Sequence, residues 1–199
     1  MKSLELLLRG FHPSEAIGRG IHWQAQTLFP IGYVESLSGN RGELHMEIHI
    51  FQDEQAMEVA NVFHAAVHAI DPSIYSEEEK EAWAPTPPNY YEWGERLKGT
   101  MVFTAIVDDT VAGFIALEPN GHIDFMYTHP QYQNMGVAAY MYEYVLDVAQ
   151  NLHIARLTVD ASKIAKTFFE ERGFELQEEK LIERNGLSIL HYAMEKRLL

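Results

Sequence analysis

Polar and apolar positions first alternate regularly at residues 47–51, which predicts a half-buried strand. Asp53 then stands as a helix cap. Behind it Met57, Ala60, Val62, Phe63, Ala66, Val67 and Ile70 recur at helical spacing, so a helix is expected to about residue 69. Ser76 followed by Glu77, Glu78 and Glu79 opens a second helix that ends near Pro85. Pro85, Pro87 and Pro88 make a stiff connection, and residues 90–98 read as a shorter helical piece. Residues 100–107 and 111–117 form a hairpin around Asp108-Asp109-Thr110. Pro119-Asn120-Gly121 turns the chain into a strand at 122–128. A long helical pattern follows at 140–150, then a strand at 155–159. Next comes a helix at 162–172, closed by Gly173, and a last hairpin, 174–182 and 188–195, turns at Asn185-Gly186. The order from residue 46 is β-α-α-β-β-β-α-β-α-β-β. It predicts an α/β (α+β) fold with a central mixed sheet flanked by helices.

Residues 1–45 lack a sustained period and are broken by Gly10, Pro13, Gly18, Gly20, Pro30, Gly32 and Gly42. The chain therefore divides into an extension over 1–45 and a domain over 46–199. Gly42-Glu43 can be encoded by a purine-rich stretch, and Leu44 and His45 then place Met46 at a ribosome-binding spacing. The extension is thus expected to be either an upstream mis-start or a poorly ordered segment.

Composition narrows the chemistry. There is no cysteine, so thiol nucleophiles, disulfides and iron–sulfur clusters are excluded, and a reducing, cytoplasmic setting is expected. No apolar run approaches the roughly 20 residues of a membrane span. The net charge is −14, and the acidic excess falls on residues 46–199, because Lys2, Arg9, Arg19 and Arg41 balance Glu5, Glu15, Glu35 and Glu43. Such a surface repels a nucleic-acid backbone and favours a cationic acceptor such as an amine, or simply keeps the protein soluble.

The most informative stretch is 121–139. A strand runs into His129-Pro130, then into Gln133-Asn134-Met135-Gly136-Val137-Ala138 and a helix. Loop amides converging at a helix N-terminus make an anion site, and the glycine lets a pyrophosphate approach the backbone. The stretch holds neither G-x-x-x-x-G-K-S/T nor G-x-G-x-x-G.

The pattern Q-N-M-G-V-A, set between a strand and a helix, resembles the Q/R-x-x-G-x-G/A signature of the GNAT superfamily of acyl-CoA-dependent N-acyltransferases. A second segment, 157–174, supplies Ser162, Ala165, Phe168, Phe169, Gly173 and Phe174 at the positions of the family's N-x-x-A-x-x-F-Y-x-x-x-G-F run. Its form looks most similar to the YafP-like branch. The resemblance implies an enzyme that moves an acetyl group from acetyl-CoA to a primary amine of a small molecule or protein by direct attack. The alternative is a non-catalytic acyl-CoA sensor or partner-recruiting module. A homodimer is compatible with either.

The resemblance also implies roles for residues. Gln133, Asn134, Met135, Gly136, Val137, Ala138 and Ala139 would hold the pyrophosphate. Met126, Tyr127 and Thr128 would pair with the pantetheine arm, and Ser162 and Phe169 would lie near the thioester. A backbone N–H near Met126 or Tyr127 would polarise the carbonyl. A period of two places His122, Asp124 and Met126 on one face. Asp124 and His122 are the candidate bases; a buried structural acid and a surface imidazole are the plain alternatives. Phe169 stands where the family often has a proton-donating tyrosine, so either water or another hydroxyl such as Tyr127 supplies that proton, or turnover is slow. Tyr75, Trp83 and Trp93 are candidates for the acceptor wall, or else core packing. His64 and His68 have metal-ligand spacing without a third ligand, so no metal is expected.

Overall fold

The computed structural model describes residues 33–37 and 44–199. Among these, eight strands share one sheet. They are β1 (Tyr33–Leu37), β2 (Leu44–Ile50), β3 (Met101–Val107), β4 (Thr110–Leu117), β5 (His122–Thr128), β6 (Arg156–Ala161), β7 (Glu175–Arg184) and β8 (Leu187–Arg197). The spatial order is β1-β2-β3-β4-β5-β6-β8-β7, and every neighbouring pair is antiparallel except β5 and β6. Five α-helices accompany it: α1 (Ala56–His68), α2 (Glu77–Trp83), α3 (Tyr90–Arg96), α4 (Val137–Asn151) and α5 (Lys166–Glu170).

Each face of the sheet is covered for a legible reason. On one face α1 buries Val59, Ala60, Val62, Phe63, Ala66 and Val67. Phe63 meets Trp93 of α3 at 4.9 Å between ring centroids and Tyr127 of β5 at 4.9 Å. Trp93 continues the cluster to Phe114 and Phe125. Burial of each such side chain contributes about 1.5–3 kcal/mol. Ser76 and Glu79 form a reciprocal capping box at the start of α2, as their spacing predicts. On the other face α4 buries Val137, Tyr140, Met141, Tyr142, Val145, Val148 and Ala149. Beside it, Phe169 packs against Phe168 and Phe174.

The structure departs from the expected elements in four places. The cap ahead of α1 is Gln52 rather than Asp53, which lies inside a 3-10 turn at Asp53–Gln55. Tyr33–Leu37, within the expected extension, is a strand paired with β2; residues 1–32 and 38–43 lie outside the described residues. The helix expected over 162–172 is regular only over Lys166–Glu170. Its first turn is drawn tight by Ser162, whose carbonyl accepts from the N–H groups of both Ala165 (3.1 Å) and Lys166 (3.0 Å). Finally, α4 starts at Val137, three residues ahead of the apolar period that announced it.

Two irregularities in β5 shape the site. The register of β4 with β5 runs Ala116↔Phe125 and then Leu117↔Ile123, so Asp124 is the extra residue of a bulge. The bulge resets the alternation and corrects the expectation that His122, Asp124 and Met126 share a face. Phe125 and Tyr127 point toward Phe63 of α1. His122 lies on their side, with its Nδ1 3.0 Å from Thr158 Oγ1 on β6. Two residues on from Thr158, Asp160 pairs with Ala193, whose strand neighbour His191 touches Trp83 of α2. Met126 lies opposite Ile115 and turns to the α4 side. The second irregularity is splay. β5 and β6 pair only at His122↔Thr158 and Ile123↔Val159. Gly121 begins the pairing, accepting from the Thr158 N–H at 3.0 Å. Its φ is +92°, and a Cβ there would sit 2.2 Å from the Arg156 carbonyl oxygen, so only glycine allows this approach.

Candidate active site

Beyond Ile123 the two parallel strands separate, and the backbone of β5 turns toward a gap. His129 donates its N–H to Ala112 on β4 at 2.8 Å, and Tyr127 is paired opposite Phe114. By alternation the N–H and C=O groups of Met126 and Thr128 face away from β4, into the gap. A ligand carrying amides could complete the ladder there.

The gap leads to the start of α4. His129 caps a short 3-10 turn at Pro130–Tyr132, its Nδ1 accepting from Gln131 N–H at 3.3 Å. Asn134 (φ 59°) and Gly136 (φ 89°) are left-handed, which folds the loop back so that Gly136 becomes the helix N-cap. The helical ladder begins with Tyr140 N–H to Gly136 C=O at 2.9 Å, so the amides of Val137, Ala138 and Ala139 precede it. Gln133, Asn134, Met135 and Gly136 are exposed, and the first turn carries no acidic side chain. Free amides and the positive end of a 15-residue helix dipole make a site for an anion.

On the α1 face of the sheet, side chains of α2, α3, β5 and the β7–β8 hairpin converge, and this convergence is the candidate acceptor cleft. Burial pushes the Tyr127 phenol well above the ordinary phenol range, with the Trp83 side chain and the Arg96 charge acting in the opposite sense. Asp124 is exposed at the bulge, yet desolvation by its surroundings raises its carboxyl above the usual carboxylate range, while Arg96 acts in the opposite sense. His191 is only 6% exposed and packs edge-on against Trp83 with ring centroids 5.4 Å apart. Its Nδ1 bonds the Ile189 carbonyl at 3.1 Å, and burial lowers its pKa, so the ring is neutral at neutral pH. Next to the cleft, His122, Thr158, Asp160, Glu178, Lys180 and Glu195 line a cavity of about 280 Å³.

The structure brings Asp124, Tyr127 and Trp83 into this one cleft and places His122 at its edge. Tyr75, Trp83 and Trp93 all belong to one buried cluster. Tyr75 is fully buried, with its hydroxyl accepting from Lys163 N–H at 2.9 Å, and Trp93 belongs to the aromatic core. Ser162 is 9% exposed and its Oγ caps the turn before α5, accepting from Ala165 N–H at 3.3 Å. Phe169 is 1% exposed in the core beside α4. His64 and His68 stack at 4.2 Å but bond Thr86 Oγ1 and the Ala84 carbonyl. Among the described residues no three His, Asp or Glu side chains gather as metal ligands, and no helix is long and apolar enough to cross a membrane.

Three residues of the cleft escaped the sequence reading: Arg96, Arg184 and His191. Arg184 had a signal, because it immediately precedes the Asn185-Gly186 turn, and that turn anchors on α2 through Asn185 Nδ2 to the Ala82 carbonyl at 2.9 Å.

A mixed sheet that opens beside a glycine-led helix N-terminus is the architecture of an acyl-CoA-dependent acyltransferase. Residues 72–196 match the acetyltransferase (GNAT) domain family, and the chain belongs to that family of acetyl-CoA-dependent N-acetyltransferases. It is 28% identical over 150 residues to YafP of Escherichia coli K12, an uncharacterized N-acetyltransferase, covering 75% of this chain and 95% of that one. A crystal structure of a GCN5-related N-acetyltransferase from Rhodopseudomonas palustris is 30% identical, with a TM-score of 0.72 over 76% of this chain and 94% of that one. The PaiA N-acetyltransferase of Thermoplasma acidophilum, solved with coenzyme A, shares the fold at 18% identity and a TM-score of 0.62, over 76% of this chain and 98% of that one.

Proposed function

We propose that the chain transfers an acetyl group from acetyl-CoA to a primary amine by direct attack of the amine. One observation carries the reading: the gap between β5 and β6 opens toward the α4 N-terminus led by left-handed Gly136. Acetyl-CoA supplies an already activated acetyl thioester. The loop amides from Gln133 to Ala139 would hold its pyrophosphate. The outward-facing groups of Met126 and Thr128, on either side of Tyr127, would pair with its pantetheine amides. Ser162 and Phe169 would flank the thioester end of this path. In this reading the transferase domain is residues 46–199, with the Tyr33–Leu37 strand paired at its edge.

The chemistry assigned to the chain's own groups is modest. The Met126 N–H polarises the acetyl carbonyl oxygen. The amine nitrogen bonds to the acetyl carbon, the carbon–sulfur bond breaks, and the thiolate leaves. Asp124 accepts the acceptor's proton, directly or through water, with His122 at the cleft edge passing protons toward solvent. Burial that lifts the Asp124 carboxyl suits it to this task, because a stronger acid would be a weaker base. Phe169 cannot donate a proton, and burial makes Tyr127 hold its own. The leaving thiolate is therefore protonated from water, and Tyr127 serves as a hydrogen-bonding group of the cleft.

The test is release of free CoA thiol by the purified chain with acetyl-CoA and a mixed panel of primary amines. Acetylated amine detected by mass spectrometry, formed in step with CoA release, supports the proposal. Binding of acetyl-CoA with no product from any amine would overturn it.

A further inference from the structure

Resting on that reading, we infer that the acceptor is an amino carboxylate, such as an α-amino acid, whose carboxylate is held by Arg96 and Arg184. Arg96 closes α3 with its guanidinium over three rings, 4.7 Å from the centroid of Phe125, 5.2 Å from Trp93 and 5.9 Å from Phe63. Arg184 ends β7 at the hairpin tip that Asn185 ties to α2. It lies within electrostatic range of Arg96, Asp124, Tyr127 and His191. Both arginines therefore act on the candidate base Asp124.

Neither arginine has a carboxylate partner. Among the described residues no Asp or Glu oxygen lies within 4.0 Å of either guanidinium; Lys163, Arg172 and Lys196 share that state, while Lys80, Lys98, Arg156, Lys166, Lys180 and Arg197 each have a carboxylate. Arg184 bonds only its neighbour, the Glu183 carbonyl, at 3.2 Å. Two guanidiniums in each other's field repel, so an anion between them relieves that cost. Their planar forks fit a carboxylate with paired hydrogen bonds. Asp124, in the field of both, is placed for the ammonium of the same molecule. One anion site and one cation site in a single cleft match a zwitterion better than a simple amine. The carboxylate takes no part in bond making; it fixes which nitrogen reaches the thioester.

The experiment uses the full chain, acetyl-CoA, and the proteinogenic L-amino acids, each paired with its decarboxylated amine: L-phenylalanine with phenethylamine, L-histidine with histamine, and so on. CoA release is followed for each pair, and acetyl-CoA binding is measured separately by calorimetry. At least one amino acid is expected to exceed its amine by ~10-fold or more in kcat/KM. Arg184→Gln, at a hairpin end where misfolding is least expected, raises KM for that amino acid by ~10-fold while kcat and acetyl-CoA affinity stay near wild type. Arg184→Lys recovers part of the loss. Arg96→Gln gives the same KM effect, with its melting temperature recorded to confirm folding. Three results would overturn the inference: amines used as well as amino acids, a preference untouched in Arg184→Gln, or no amino acid acetylated although acetyl-CoA binds. Failure to bind acetyl-CoA would instead overturn the transferase reading beneath it.

Discussion

Trp83 on α2 packs edge-on against His191 on β8, ring centroids 5.4 Å apart, and its side chain acts on the Tyr127 phenol of β5 against the upward push of burial. These contacts join a helix contributed early in the chain to the central strand and the last hairpin. Tyr127→Phe removes the polar partner of the Trp83 indole. Unfolding stability is expected to fall by about 1–3 kcal/mol, measured by urea titration. The alkaline limb of the kcat–pH profile is expected to stay where it is, because burial already keeps the phenol protonated. An alkaline limb that vanished in the variant would make Tyr127 the proton donor after all.

Asp124 occupies the bulge of β5, and its carboxyl is raised above the ordinary range chiefly by desolvation. Asp124→Asn is expected to lower kcat by about 10²–10⁴-fold while the KM for acetyl-CoA changes little. The acid limb of the wild-type profile should lie above the usual carboxylate pKa. The effect on stability has the opposite sense. A raised folded-state pKa means that the native chain binds the proton more tightly than the unfolded one, so stability declines as pH rises through that pKa. At neutral pH the Asn variant should melt at or above the wild-type temperature. A clear loss of stability with unchanged turnover would assign Asp124 a structural role.

His191 gives the second pH dependence. Burial holds its pKa below that of a free imidazole, with the Arg184 charge acting in the same sense and Asp160 and the Ile189 carbonyl opposing. On acidification the unfolded chain takes up this proton first, so stability falls with pH from about 6.5 down to the lower folded-state value. Thermal melts between about pH 7.5 and about pH 5 should show this slope, and His191→Gln should flatten it. An identical slope in the variant would place the titration elsewhere.

How much of this the sequence showed depends on the length scale of each cause. The strand at 122–128, the loop from Gln133 to Ala138 and the second segment ending in Gly173-Phe174 were legible because local period and turn chemistry set them. The bulge was not: a single inserted residue at Asp124 reads as ordinary alternation until β4 is laid beside it. That one residue moved His122 to the Tyr127 side of the sheet. Tyr75, Trp83 and Trp93 looked alike as an aromatic cluster, and packing places all three in one buried core, where only Trp83 touches the His191 ring. Net charge is silent at short range: a count of −14 does not show that Arg96 on α3 and Arg184 on β7, far apart in the chain, lie in each other's field.

The most direct measurement is calorimetric titration of the wild-type chain and of Gly136→Asp with acetyl-CoA. Gly136 sits at φ 89°, where a side chain costs about 1–2 kcal/mol, and an aspartate there adds negative charge at the anion site. The account predicts one-to-one micromolar binding by the wild type and loss of that binding in the variant, with the fold intact by circular dichroism. Absence of heat from the wild type at millimolar acetyl-CoA, or equal affinity in both proteins, would contradict it.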